Sequence, residues 1–319
     1  MKTLNYSEII YKYPWIVERE QNCILSPDSD GLLCGLLMSH YLGWRIRGFY
    51  DGKILVVEKG LNPQKCVFVD IEIFRPNIRS VGQHMVMYDK ANLQPNWSNF
   101  DNCIAANNLR NYDFKNDFKL KYPLGTVHVL LSILGQSLGI PIPKSAVSPL
   151  LYTDGTFKNQ FNYPENCISW LEFLNADDPK NPLQKIFLDK HYSVFELMTA
   201  LKDLFVEIHA IGGGKRGGDK IKISNSKGQI VNIDKKSGNL SRATKSQAEQ
   251  LLKMLAEKTG WLFNSKHWSW GPYQTFKFRK GSIKPGKARY NHLLTQNPLS
   301  LAIISRNSIE YTIDDGGIF

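Results

Sequence analysis

Apolar and polar positions divide this chain into short elements. Cys23, Ile24 and Leu25 form an apolar run that meets Pro27-Asp28-Ser29-Asp30-Gly31, and Leu32, Leu33, Leu36, Leu37 and Tyr41 follow at helical spacing. That order reads as strand, tight turn and helix. Residues 44–50 largely alternate, as a half-buried strand does, and Asp51-Gly52 marks a turn into Ile54, Leu55, Val56 and Val57. Cys66-Val67-Phe68-Val69 is a continuous apolar run that suits a buried parallel strand, and it ends in Asp70. Residues 89–122 are polar and rich in Asn, Asp and Lys, and read as a long loop with short helical pieces.

Before this core, Pro14 ends a short first helix. Beyond it, Gly125-Thr126 opens an apolar helix stopped by Gly139 and Pro141, in which His128 reads as a packed residue. A second helix over residues 145–152 contains Pro149 and runs into Thr153-Asp154-Gly155. Residues 167–174 and 182–211 again show three- and four-residue apolar steps, and predict helices that bridge two domains. Gly212-Gly213-Gly214-Lys215-Arg216-Gly217-Gly218 reads either as a flexible joint or as a backbone loop that cradles phosphate with two cations. Ile221-Lys222-Ile223 and Ile230-Val231-Asn232-Ile233 predict a hairpin, and residues 246–258 an amphipathic helix. The architecture expected is α/β, with units at 1–165, a helical connector at 166–211 and a smaller α+β domain at 212–319.

Composition adds a sign to the partner. Among 319 residues, 40 Lys and Arg oppose 29 Asp and Glu, a formal charge of +11 that favours polyanions. No apolar run approaches the roughly 18 residues of a membrane span, and the first residues lack a signal-peptide core, so a cytoplasmic protein is expected. Five cysteines without a C-x-x-C pair argue against a disulfide framework or a zinc site, and read as reduced, mostly buried thiols. Between Trp261 and Tyr290, aromatic residues interleave with Lys and Arg. Such a stretch is either a β-rich core with a basic face or a surface where rings stack on the bases of a single strand.

Asp28, Asp30, Asp70 and Asp154 each fall at the end of an apolar element, and His84 follows the small-residue run Ser80-Val81-Gly82. Acids in such places are often caps or turn residues, and a lone His84 is more often structural. Together they make a set of hard oxygen ligands with one imidazole, which suits Mn²⁺ or Mg²⁺. Their order resembles the DHH phosphoesterase superfamily. Asp28-Ser29-Asp30-Gly31 is similar to its first motif, Val69-Asp70 to its second, His84 to its third, and Leu151-Tyr152-Thr153-Asp154-Gly155 to its fourth. Gly82-Gln83 stands where the family has Asp-His, and Ile24 where many members carry a further His.

The resemblance implies a parallel-sheet domain with helices on both faces. It implies one or two Mn²⁺ or Mg²⁺ ions on Asp28, Asp30, Asp70, His84 and Asp154, with Asp30 and His84 in catalytic roles. Gly213, Gly214, Lys215 and Arg216 are partly similar to the family's substrate loop. The expected activity is hydrolysis of phosphodiester bonds in single-stranded nucleic acid or short oligonucleotides. Two alternatives stand beside it: a non-catalytic nucleic-acid-binding or complex-forming protein with a degenerate site, and a phosphatase or cyclic-dinucleotide hydrolase.

Overall fold

Short apolar runs become strands because burial on both faces rewards a continuous hydrophobic segment. In the computed structural model, which describes residues 3–214 and 218–319, these strands are β1 (Asn22–Leu25), β2 (Arg45–Tyr50), β3 (Ile54–Glu58), β4 (Val67–Val69), β5 (Arg79–Gly82), β6 (Cys103–Ala105) and β7 (Tyr273–Lys277). They form one sheet in the order β6-β5-β4-β1-β2-β3-β7. From β6 to β2 all neighbours are parallel, whereas β3 and β7 pair antiparallel at one edge. Strands β8 (Arg279–Ile283), β9 (Ser300–Ser305) and β10 (Ser308–Ile313) make a separate antiparallel sheet, β8-β10-β9.

The helices are α1 (Tyr6–Lys12), α2 (Ser29–Leu42), α3 (Ala106–Leu109), α4 (Phe114–Asp117), α5 (Thr126–Gly135), α6 (Lys144–Tyr152), α7 (Thr156–Asn162), α8 (Pro164–Phe173), α9 (Val194–Ile211), α10 (Arg242–Thr259) and α11 (Lys287–Thr295). The expected strand, turn and helix around Asp28 is β1 and α2. Asp28 caps the helix by accepting a hydrogen bond from the Gly31 amide (3.3 Å). A Cβ on Gly31 would lie 2.1 Å from the Ser26 carbonyl oxygen, so glycine permits this tight entry. Gly43, at φ 67°, ends the helix in the left-handed conformation.

One sheet face, carrying Leu25, Val67 and Val69, packs against Leu33, Leu37, Val127 and Leu130 of α2 and α5. Each such fully buried aliphatic side chain contributes roughly 1.5–3 kcal/mol. The other face, carrying Ile24 and Phe68, is covered by Ile73, Ile78, Leu299, Phe278 and Phe319. Helices on this face were expected, but the parallel strands β4 and β5 are joined by residues 70–78 with no helix between them.

The segment expected to form a separate C-terminal domain contributes to the main body. β7 extends the large sheet, and Leu251, Leu252 and Leu255 of α10 enter its core. The aromatic stretch is core as well: Trp261, Trp268, Trp270, Tyr273 and Tyr290 are buried, and Trp270 stacks on Phe49 and on Trp268. These rings have no free face for a base. In place of the expected hairpin, the bridge Ser224–Ile230 is isolated. All five cysteines are free and buried, and among the described residues no helix is long and apolar enough to cross a membrane.

Candidate metal centre

β1, β4 and β5 point their carboxyl ends the same way, and Asp28, Asp70 and His84 follow them directly. β1 also lies between β4 and β2, where the strand order changes direction and a crevice opens in folds of this kind. Asp154 reaches the same place from the turn between α6 and α7. Asp70 and Asp154 both hold left-handed backbone, at φ 62° and φ 49°. Non-glycine residues in that region cost stability and concentrate at functional sites; Asp tolerates it better than most.

Asp70, His84 and Asp154 can each offer a ligand atom such that all three lie within 4.8 Å of one another. Asp70 is buried, and its Oδ1 accepts from the Thr126 hydroxyl at 2.7 Å. Its Oδ2 is buried with no hydrogen-bond partner. An orphaned buried carboxylate oxygen is costly unless a cation or proton meets it.

His84 is held from behind by Glu72, a residue the sequence analysis does not single out. Glu72 is buried, and its Oε1 accepts from the His84 and Met85 amides at 2.5 and 2.9 Å. Its Oε2 lies 3.5 Å from His84 Nδ1, which leaves Nε2 facing Asp154 Oδ2 at 3.8 Å. A carboxylate behind the imidazole orients histidine ligands, and here the far nitrogen meets only the Gln83 side-chain amide (3.2 Å) and Asp154. Burial opposes charge on His84, but the Glu72 hydrogen bond and the charges of Glu72 and Asp154 prevail and raise it to about 9. Burial likewise pushes Glu72 up, and the hydrogen bonds and charge of His84 bring it below its ordinary value.

Gly82 leaves room for Glu72. A Cβ on Gly82 would lie 2.6 Å from the carboxyl carbon of Glu72 and 2.8 and 2.9 Å from its oxygens. Glu72 therefore fills, from the neighbouring strand connection, the space a side chain at position 82 would need. Gln83 donates from its amide nitrogen to Asp154 Oδ2 and lies 3.2 Å from His84 Nε2. Gly82→Ala is expected to displace Glu72, lower the melting temperature and weaken metal binding. Overpacking of this sort costs about 1–3 kcal/mol. Thermal unfolding and metal titration of the variant check it, and a Gly82→Ala protein that melts and binds Mn²⁺ as wild type does would contradict it.

Asp28 and Asp30 lie beside this cluster rather than in it. Asp28 is the cap of α2 already described. Asp30 is buried, and its oxygens accept from the Thr126 and Val127 amides at 2.6 and 3.1 Å, so it closes the exposed amides of α5. Burial pushes Asp30 up to about 8, with the charges of Asp154 and Asp28 adding to the effect. Asp70 is raised well above the carboxylate range by burial and then by Asp30, Asp28 and Asp154. So many close carboxyls repel each other's charge, and a cation among them relieves that repulsion. The donor set and the orphaned Oδ2 thus fit a divalent ion.

Gly213 and Gly214 follow the end of α9 with positive φ, and their amides donate to the Ala210 and His209 carbonyls. Those amides close the helix and are not free to cradle phosphate. Lys215 and Arg216 lie outside the described residues.

Two cavities meet at His84. One, of about 610 Å³, runs from Asp70 and Glu72 past Lys53, Lys220, Lys222 and Lys280. The segment bearing Lys220 and Lys222 is tied to the site by the Ile221 amide, which donates to the Pro27 carbonyl at 2.8 Å. The other, of about 930 Å³, is lined by Gln83, Asp154, Lys119, Lys121 and Arg306. The 610 Å³ cavity also carries Asp28, Asp51 and Glu310, the last paired with Lys280 at 2.7 Å, so it is mixed in charge, whereas the 930 Å³ cavity, with Glu165 as its further acid, has a small excess of cations. No protein-family model matches the chain, and neither a curated protein nor a solved structure matches it.

Proposed function

We propose that this protein is a Mn²⁺- or Mg²⁺-dependent phosphodiesterase that cleaves single-stranded nucleic acid or short oligonucleotides. The observation that carries the reading is the Asp70, His84 and Asp154 cluster, with its unpartnered buried oxygen, at the junction of two cavities whose walls include lysines among acids. Carboxylate oxygens and one imidazole suit these ions, with Asp70, Asp154 and His84 Nε2 as the holding atoms. When bound, such an ion supplies Lewis-acid polarisation of a phosphoryl oxygen.

The chain's own groups do the rest. Glu72 fixes the orientation of His84, and Gln83 that of Asp154. Lysines on both sides neutralise the phosphates flanking the reacting ester, which raises the local concentration of a polyanion. Half-buried Lys121 acts on Glu72 and Asp154 through its charge, and burial lowers its affinity for a proton. Its Nζ donates to the Ile303 carbonyl at 2.8 Å, so it is positioned rather than free.

The substituted third motif favours one further reading, a protein that binds nucleic acid without cleaving it. Incubation with single-stranded DNA, RNA and dinucleotides separates the two. Hydrolysis that needs Mn²⁺ and stops with chelator is expected for at least one substrate. Binding without cleavage of any of them, in the presence of Mn²⁺, moves the assignment to the non-catalytic reading.

A further inference from the structure

The buried C-terminal aromatics leave unanswered which surface meets a base, and a different set of rings is placed to do so. Tyr88, Phe114 and Phe118 are half-buried and border a cavity of about 540 Å³ together with the exposed cations Lys115, Lys119 and Arg306. Tyr88 and Phe114 stack with centroids 5.4 Å apart, and Phe118 follows 4.9 Å from Phe114. The Arg306 guanidinium lies 5.8 Å from the centre of the Phe118 ring. Lys115 is paired with Asp89 at 3.3 Å, which leaves Lys119 and Arg306 as the cations more available to a ligand.

Phe118, Lys119 and Arg306 also line the 930 Å³ cavity that contains His84 and Asp154. The ring surface is therefore continuous with the candidate metal centre. One face of Phe114 is taken by Tyr88, and Arg306 hangs loosely over Phe118, so a base stacks by sliding between the guanidinium and the ring. Rings with cations this close supply what an unpaired strand requires, an apolar face for a base and positive charge for its phosphate. Such a face accepts any base, because every base presents a π-surface.

We propose that Phe114 and Phe118 are a stacking platform for unpaired nucleobases, with Lys119 and Arg306 on the adjoining phosphates, and that it leads the strand to His84 and Asp154. This rests on the nucleic-acid reading above and names the surface that selects a single strand. Residues 89–122 read as a polar loop in sequence, so this platform has no signal there beyond Phe114 and Phe118 themselves.

The test is equilibrium binding in chelator, so that no cleavage intervenes. Fluorescence anisotropy of a labelled oligothymidylate is compared with that of an abasic strand of equal length, on wild type, Phe118→Ala, Phe118→Trp and Lys119→Ala/Arg306→Ala. Phe118→Ala is expected to weaken the base-bearing strand about 10-fold or more and leave the abasic strand unchanged. Phe118→Trp keeps both packing and a stackable face, and should restore binding. The double cation variant should weaken both strands and reduce the salt slope by about two. Equal weakening of both strands by Phe118→Ala, or no change in either, overturns the platform. Addition of Mn²⁺ then separates the two readings. Cleavage with no dependence on Phe118 defeats the platform alone, whereas base-dependent binding without cleavage upholds it and defeats the nuclease.

Discussion

Asp70→Asn is expected to reduce Mn²⁺-dependent hydrolysis by more than about 10²-fold and to leave the fold intact. Loss of a partner one shell behind a ligand already costs about 10–100-fold in affinity or activity, and Asp70 would be a ligand itself. Asparagine is the informative replacement because Asp70 holds φ 62°, a conformation Asn adopts and Ala resists. Its side-chain oxygen can still accept from the Thr126 hydroxyl, and its amide replaces the unpartnered Oδ2. Asparagine is isosteric with the protonated carboxyl that burial favours at Asp70, so no cavity opens and the metal-free variant should melt no lower than wild type. Rate measurements beside thermal unfolding check both halves. Full activity in a folded Asp70→Asn protein would remove this residue from the centre.

The second large effect is on stability against pH in the absence of metal. Asp30 and Asp70 are raised above their unfolded values, Asp30 to about 8, chiefly by burial. The folded chain then binds more protons than the unfolded one between about pH 4 and 8, so these groups favour folding at low pH and lose that contribution as pH rises. Because Asp30, Asp70 and Asp154 titrate as a group, the change belongs to the cluster rather than to one carboxyl. His84, raised to about 9, acts in the same direction between its ordinary value and 9. Glu72, lowered, contributes above its unfolded value and loses that contribution only as pH falls below it. The metal-free protein should therefore lose melting temperature from pH 5 to pH 9. Mn²⁺ should raise it more at pH 8 than at pH 5, because the ion competes with protons for the same oxygens. Scanning calorimetry at several pH values, with and without Mn²⁺, reads this directly, and a Mn²⁺ shift that is equal at both pH values would contradict it.

Much of the scaffold was legible because its signals are local. The run at residues 23–25, the capping Asp28 and the helical spacing after it specify β1 and α2, and the buried run before Asp70 specifies β4. β6 was not legible, since three residues inside a polar stretch are too few to show a period. β7 joins the edge of the main sheet through β3, a pairing across more than half the chain that no local pattern encodes. The aromatics between Trp261 and Tyr290 admitted two meanings in sequence, and burial selects the core.

The candidate centre divides along the same line. Asp70, His84 and Asp154 could be singled out because each ends an apolar or small-residue segment, and the fold brings them together. Asp28 and Asp30 carry the same sequence signal, yet both oxygens of Asp30 and Oδ1 of Asp28 are engaged by backbone amides at helix starts. Only three-dimensional proximity distinguishes a capping acid from a ligand. Glu72 did have a signal, a lone charge between Ile71 and Ile73, but its partner Gly82 makes sense only once the two are seen to share one space.

Calorimetric titration of the metal-free protein with Mn²⁺, repeated on Asp70→Asn, tests the central claim most directly. One tight ion is expected in the wild type, with any second ion weak, because the cluster offers three ligands and Asp30 is committed to the start of α5. Asp70→Asn should abolish the tight site. Absence of Mn²⁺ binding in the wild type, or a tight site that survives Asp70→Asn unchanged, would contradict the metal centre described here.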